Sequence, residues 1–128
     1  MARPKAKDLT ERELEVMQAF WARPKPTTVA EVRDDLAGTG RDLAYTTVAT
    51  LVRILHEKGY LEQTNAERPF QFRPTRSHDD VSRSLIGDMV DKLFDGSREM
   101  LLLKLFDRGK LSAQERATLQ QILEENRR

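Results

Sequence analysis

The run Leu43-Ala44-Tyr45-Thr46-Thr47-Val48-Ala49-Thr50-Leu51-Val52-Arg53-Ile54-Leu55 constrains this chain more than any other segment. On a helix turning about 100° per residue, Val48, Leu51, Val52 and Leu55 form one apolar stripe. Thr46, Thr50, Arg53 and Glu57 gather in an arc of about 60° on the opposite side. β-branched residues are mediocre helix formers, so a threonine-rich helix needs a reason. Short hydroxyls let a helix approach base edges closely, a threonine methyl can meet a thymine methyl, and a guanidinium can reach guanine or phosphate. The segment reads as a DNA recognition helix with Arg41, Tyr45, Thr46, Thr47, Thr50 and Arg53 as candidate contacts. A merely solvated polar face is the plainer alternative.

The flanking sequence supplies the scaffold such a helix needs. Thr10-Glu11-Arg12-Glu13 is a capping box, with Leu14, Met17 and Trp21 at helical spacing behind it, and Pro24 stops that helix. Thr28-Val29-Ala30-Glu31 is a second box, followed by Val32 and Leu36 and closed by Gly38-Thr39-Gly40. Lys58-Gly59 ends the threonine-rich helix with a cation and a left-handed-capable glycine. Tyr60–Thr64 and Phe70–Arg73 read as two strands joined by the turn Asn65–Pro69. Three helices and a hairpin in that order predict a winged helix-turn-helix over residues 1–76. Its wing carries Arg68 at the tip and Gln71 and Arg73 along one side, placed for phosphates or the minor groove. A structural cap on the third helix is the competing use of such a hairpin.

From Ser77 the pattern changes. Ser77 can cap a helix with His78, Asp79 and Asp80 in its first turn, and Val81, Leu85, Met89, Val90 and Leu93 follow as a seam. After Gly96, a short helix from Ser97 holds Met100-Leu101-Leu102-Leu103-Lys104-Leu105-Phe106, apolar nearly all round. A helix of that kind must be buried. Ser112-Ala113-Gln114-Glu115 is a third capping box, opening a last helix with Leu119, Ile122 and Leu123. Residues 77–128 are too few to enclose this apolar surface alone, so a second copy of the chain is expected to complete it. The expected interface is Val81, Leu85, Met89, Leu93, Leu101, Leu102, Leu105, Phe106, Leu119, Ile122 and Leu123. The predicted fold class is mainly α: a winged helix over 1–76, then a three-helix dimerisation region over 77–128.

Composition narrows the function. With 22 basic and 21 acidic residues the net charge is only +1, so DNA specificity must come from a shaped element rather than bulk charge. Residues 1–76 carry a slight basic excess and 77–128 a slight acidic one. Apolar runs such as Met100–Leu103 are too short to span a membrane, and the basic start has no apolar segment behind it. The absence of cysteine excludes disulfides and thiolate metal sites and fits a cytoplasmic protein. His56 reads as structural, and His78-Asp79-Asp80 as a capped helix start rather than a metal site. No nucleophile motif, metalloprotease motif or phosphate loop is present, so no enzyme, catalytic residue, metal or cofactor is expected.

Leu14-Glu15-Val16-Met17 with Trp21, Ala44-Tyr45-Thr46-Thr47-Val48 running into Leu51, and Lys58-Gly59-Tyr60-Leu61 resemble the penicillinase/methicillin-resistance repressor family (BlaI/MecI/CopY). The likeness runs from about Leu9 to Leu123 and includes Leu101-Leu102-Leu103 through Leu111-Ser112. It implies a homodimeric winged-helix repressor on an inverted-repeat operator, with Thr46, Thr47 and Thr50 on the base-contacting face and Arg68 to Arg73 in the wing. It also implies release by a membrane-bound sensor metalloprotease that triggers cleavage in the C-terminal region. The family's copper-responsive branch carries C-terminal cysteine pairs; this chain has none, which excludes that route. Where the β-lactam branch is cleaved at an Asn-Phe pair, the matching place here is Lys104-Leu105.

Two other readings remain open at this level. A winged-helix regulator could bind a small effector directly, in an apolar pocket between its two regions. A winged helix could also serve protein–protein assembly alone, in which case no salt-dependent DNA affinity is expected.

Overall fold

The computed structural model describes residues 9–107 and 109–127. The elements are α1 (Glu11–Ala22), β1 (Thr27–Thr28), α2 (Val29–Gly38), α3 (Tyr45–Glu57), β2 (Leu61–Gln63), β3 (Gln71–Pro74), α4 (His78–Leu93), α5 (Arg98–Leu105) and α6 (Ala113–Glu125). They fall into two compact units, residues 1–85 and 86–128, so the division lies within α4.

The helix starts follow from their caps. Thr10, Thr28 and Ser112 each accept a hydrogen bond from the backbone N–H three residues on, while Glu13, Glu31 and Glu115 reach back to the cap N–H. All three predicted capping boxes therefore form. Ser77 and Ser97 act in the same way, accepting from the N–H groups of Asp80 and Met100. Gly59 closes α3 at φ +87°, a conformation few other residues adopt cheaply, and turns the chain so that Tyr60 N–H donates to the Leu55 carbonyl.

In the first unit, α1, α2 and α3 pack on one another and on a three-stranded antiparallel sheet of order β1-β3-β2. This is the winged helix-turn-helix that the sequence predicts. The hairpin is shorter than expected: β2 pairs Leu61 with Pro74 and Gln63 with Phe72, leaving Tyr60 and Phe70 outside the ladder. The core comprises Val16, Met17 and Phe20 of α1, Val32 and Leu36 of α2, Val48, Val52 and Leu55 of α3, with Tyr60, Leu61 and Phe72 from the hairpin. The apolar stripe of the threonine-rich helix is thus its buried face, with Leu51 partly covered.

Glu13 ties two ends of this core together. Its buried carboxylate accepts from Thr10 N–H at 2.8 Å and from Lys58 Nζ at 2.8 Å, joining the start of α1 to the end of α3. Burial pushes this carboxyl up, but the hydrogen bonds from Lys58 and Thr10 outweigh it and hold it below the usual range. Arg23 clamps α2 in a second tie, donating to both Asp35 oxygens at 2.7 and 2.9 Å and to Glu31 at 3.1 Å. The Arg23 hydrogen bond lowers the Asp35 carboxyl, and the Thr28 backbone N–H lowers that of Glu31.

The first turns of α4 belong to this unit. Val81, expected on the dimer seam, is instead 1% exposed within its core, and Leu85 packs against that core. Trp21 explains the docking: its Nε1–H donates to the Arg76 carbonyl at 3.0 Å, and its ring meets the His78 ring edge-on at 5.0 Å.

The second unit contains the rest of α4, with α5 and α6. Val90 is its one buried apolar residue among those described. Met89, Leu93, Leu102, Leu105, Ile122 and Leu123 are exposed, Leu93 at 71% and Leu123 at 70%. Leu101, Phe106 and Leu119 are half-buried. Among the described residues no helix is long and apolar enough to cross a membrane.

Candidate nucleic-acid interface

The outer face of α3 is built as its periodicity requires. With Val48, Val52 and Leu55 turned inward, Tyr45, Thr46, Thr47, Thr50 and Arg53 are exposed. Thr50 donates its hydroxyl hydrogen to the Thr46 carbonyl at 2.9 Å, leaving its methyl group and oxygen lone pairs for a partner. That arrangement suits a thymine methyl or an amino donor on a base edge. Arg53 lies one turn further on and pairs with Glu57 at 2.8 Å, both side chains well exposed.

The wing stands beside this face. Arg53, Tyr45, Ala49 and His56 of α3 line one cleft together with Gln63, Arg68, Pro69 and Phe70 of the hairpin and the start of α2, about 770 Å³ in volume. The threonine-rich helix and the wing tip therefore flank a common space. The turn at the tip is organised by Asn65, whose side chain donates to the carbonyls of Glu67 and Pro69 and accepts from Gln71 N–H at 2.8 Å. Arg68 is exposed with its guanidinium 5.4 Å from the Phe70 ring centroid. Arg73 is exposed on β3 and paired with its cross-strand partner Glu62. Gln71 is half-buried, its backbone engaged by Asn65 and Thr64.

Arg41 occupies a different place. It pairs with Glu15 of α1 at 2.6 Å and lines a separate cleft between α1 and α2 with Gln18, Asp34 and Asp35. Three residues that sequence reasoning did not include do border the interface. Arg33 of α2 lies 5.9 Å from the Tyr45 ring centroid and so supports that exposed aromatic. His56 sits edge-on to Phe72 at 5.8 Å, and both it and Gln63 line the cleft. His56 and Gln63 carried no signal of their own, because their place depends on how the hairpin folds back.

Among the described residues no group of three or more His, Asp or Glu gathers as a metal site. The described interface offers hydroxyls, an aromatic ring and guanidinium groups on a helix beside a hairpin, which is chemistry for binding rather than bond-breaking.

Comparison with known proteins places this geometry. Residues 9–125 match the family model described as penicillinase repressor. The chain is similar to the transcriptional regulator BlaI of Mycobacterium tuberculosis, strain H37Rv, at 34% identity over 78% of this chain and 72% of that protein. It is similar to the penicillinase repressor of Bacillus licheniformis at 27% identity, covering 96% of this chain and 94% of that one. The methicillin resistance regulatory protein MecI of Mammaliicoccus sciuri is 24% identical, over 93% and 95% of the two chains. These relatives are named as regulators and repressors, not as enzymes.

Proposed function

The chain belongs to the penicillinase repressor family, and we propose that it represses transcription by binding an inverted-repeat operator as a homodimer. The observation that carries this reading is the shared cleft between α3 and the wing, with Arg53 on one wall and Arg68 on the other. A helix about 10–12 Å across fits a major groove about 12 Å wide, and a hairpin alongside it then meets the flanking backbone. On this reading Thr46, Thr47, Thr50 and Arg53 read bases, with Tyr45 at the helix entrance. Arg68, Gln71 and Arg73 hold the backbone, and Arg41 serves as an outlying phosphate contact.

The second unit supports the homodimer. Its Met89, Leu93, Leu102, Leu105, Ile122 and Leu123 are exposed in the single chain, and a second copy would cover them. A two-fold dimer then reads two half-sites about one helical turn, or a multiple, apart. Cleavage at Lys104–Leu105 by a partner sensor protease would separate α6 from the preceding helices and release the operator. That bond lies in the last turn of α5, just before its cap residue Phe106. A directly bound effector finds less support, because Glu15 and Asp35 in the cleft of about 980 Å³ between α1 and α2 are engaged by arginines.

Selection of binding sites from a random duplex pool tests the proposal. An enriched inverted repeat, bound less tightly as salt rises, is expected. Absence of any enriched sequence would leave the assembly-module reading standing.

A further inference from the structure

The base-reading and clamping arginines are not presented as bare cations. Arg53 is held by Glu57 at 2.8 Å on the same helix, and Arg73 by Glu62 across the β2–β3 ladder. Among the described residues Arg68 is in no ion pair, resting on Phe70 instead. Both paired carboxylates are exposed, at 61% for Glu57 and 46% for Glu62, so the pairs add little to folding and stand where a phosphate backbone would arrive. Glu57 shares the exposed arc of Thr46, Thr50 and Arg53.

We propose that Glu57 is a specificity-determining residue: it neutralises Arg53 in the free protein and so suppresses binding to DNA of the wrong sequence. The inference rests on the DNA-binding reading above. On a duplex of the wrong sequence the helix meets mainly phosphates, which attract Arg53 and repel Glu57. The right sequence offers Arg53 a guanine edge and can offer Glu57 a cytosine amino group. The Glu57 carboxylate therefore subtracts from non-specific attraction more than from operator binding. Glu62, beside an arginine that holds the backbone on any sequence, subtracts from both alike.

The test measures binding of the intact chain to a random duplex and to the selected operator at three salt concentrations. Variants are Glu57→Gln, Glu62→Gln, both together, Glu57→Asp, and Asp79→Asn as a control. Asp79 is paired with Arg83 at 3.3 Å on α4, an exposed i,i+4 pair like that of Arg53, so the control makes the same charge change elsewhere. Each glutamine variant should tighten the random duplex roughly threefold or more at low salt and steepen its salt slope by about one unit. For Glu57→Gln the operator should gain less, so the specificity ratio falls, whereas Glu62→Gln should tighten both duplexes alike. Glu57→Asp should keep the wild-type ratio, and Asp79→Asn should change neither duplex. Equal gains for both duplexes with Glu57→Gln, or gains matched by Asp79→Asn, would overturn the inference and leave DNA binding intact. A wild-type chain showing no salt-dependent affinity for either duplex would overturn the DNA-binding reading, and the inference with it.

Discussion

The two units of this chain treat apolar surface in opposite ways. The first buries Phe20, Met17, Leu55, Tyr60 and their neighbours to 2% exposure or less, and its charged ties, Glu13–Lys58 and Arg23–Asp35, fasten helix ends to one another. The second leaves Leu93, Leu103, Leu105 and Leu123 at 60% exposure or more, and neither α5 nor α6 contains a buried residue among those described. The first unit is complete within one chain. The second is made of well-capped helices with much of their apolar surface exposed, the surface that the proposed homodimer would cover.

Substitutions can break that contrast in order of size. Placing aspartate at both Leu102 and Leu105 should turn a dimer into a monomer while the first unit stays folded. Both sites are exposed in the single chain, and only association buries the new carboxylates. Sedimentation equilibrium with circular dichroism checks this; a wild-type chain already monomeric at micromolar concentration would remove the contrast. In the first unit Phe20→Ala should cost about 3–5 kcal/mol in urea unfolding, since the ring is 1% exposed and leaves a cavity.

Lys58→Met should cost less, about 1–3 kcal/mol, by depriving the buried Glu13 carboxylate of a donor. The same ties set the response to pH. Glu13, Glu31 and Asp35 are all held below their ordinary values, so their contribution is present above the unfolded carboxylate range and is lost as pH falls through the folded values. A urea series at decreasing pH should show the first unit weakening below about pH 4, where free carboxylates begin to protonate. Lys58→Met should flatten that decline. The smallest effect is on recognition: Thr50→Ala should leave stability unchanged or slightly raised and remove about 1–2 kcal/mol of discrimination at one base pair in each half-site. A uniform loss across all operator variants would instead assign Thr50 to the backbone.

Much of this design is legible in the residues themselves. Capping boxes are local chemistry, four residues long, and all three that the sequence shows are formed. The exposed face of α3 is legible for the same reason, because a helix's own periodicity places Thr46, Thr50 and Arg53 opposite Val48 and Val52. What escapes is whatever depends on a distant partner. β1 is two residues long and pairs Thr27 with Phe72, so no alternation could reveal it, and Thr27 is buried despite its hydroxyl, which donates to the Lys25 carbonyl. The seam from Val81 to Leu93 reads as one stripe, yet Val81 and Leu85 pack in the first unit while Met89 and Leu93 are left exposed. Periodicity says which face is apolar and not which neighbour receives it. The Arg53–Glu57 pair is visible at i,i+4, whereas Arg73–Glu62 needs the register of the hairpin, and Lys58–Glu13 the packing of α3 on α1.

The proposed homodimer brings two reading units, joined through the second unit, onto one stretch of DNA. Sedimentation velocity of the intact chain at saturation on its selected operator duplex measures this. A complex of two chains per duplex is expected, on a site with two-fold symmetry whose half-sites are spaced by about one helical turn or a multiple of it. One chain per duplex on a site without symmetry would contradict it.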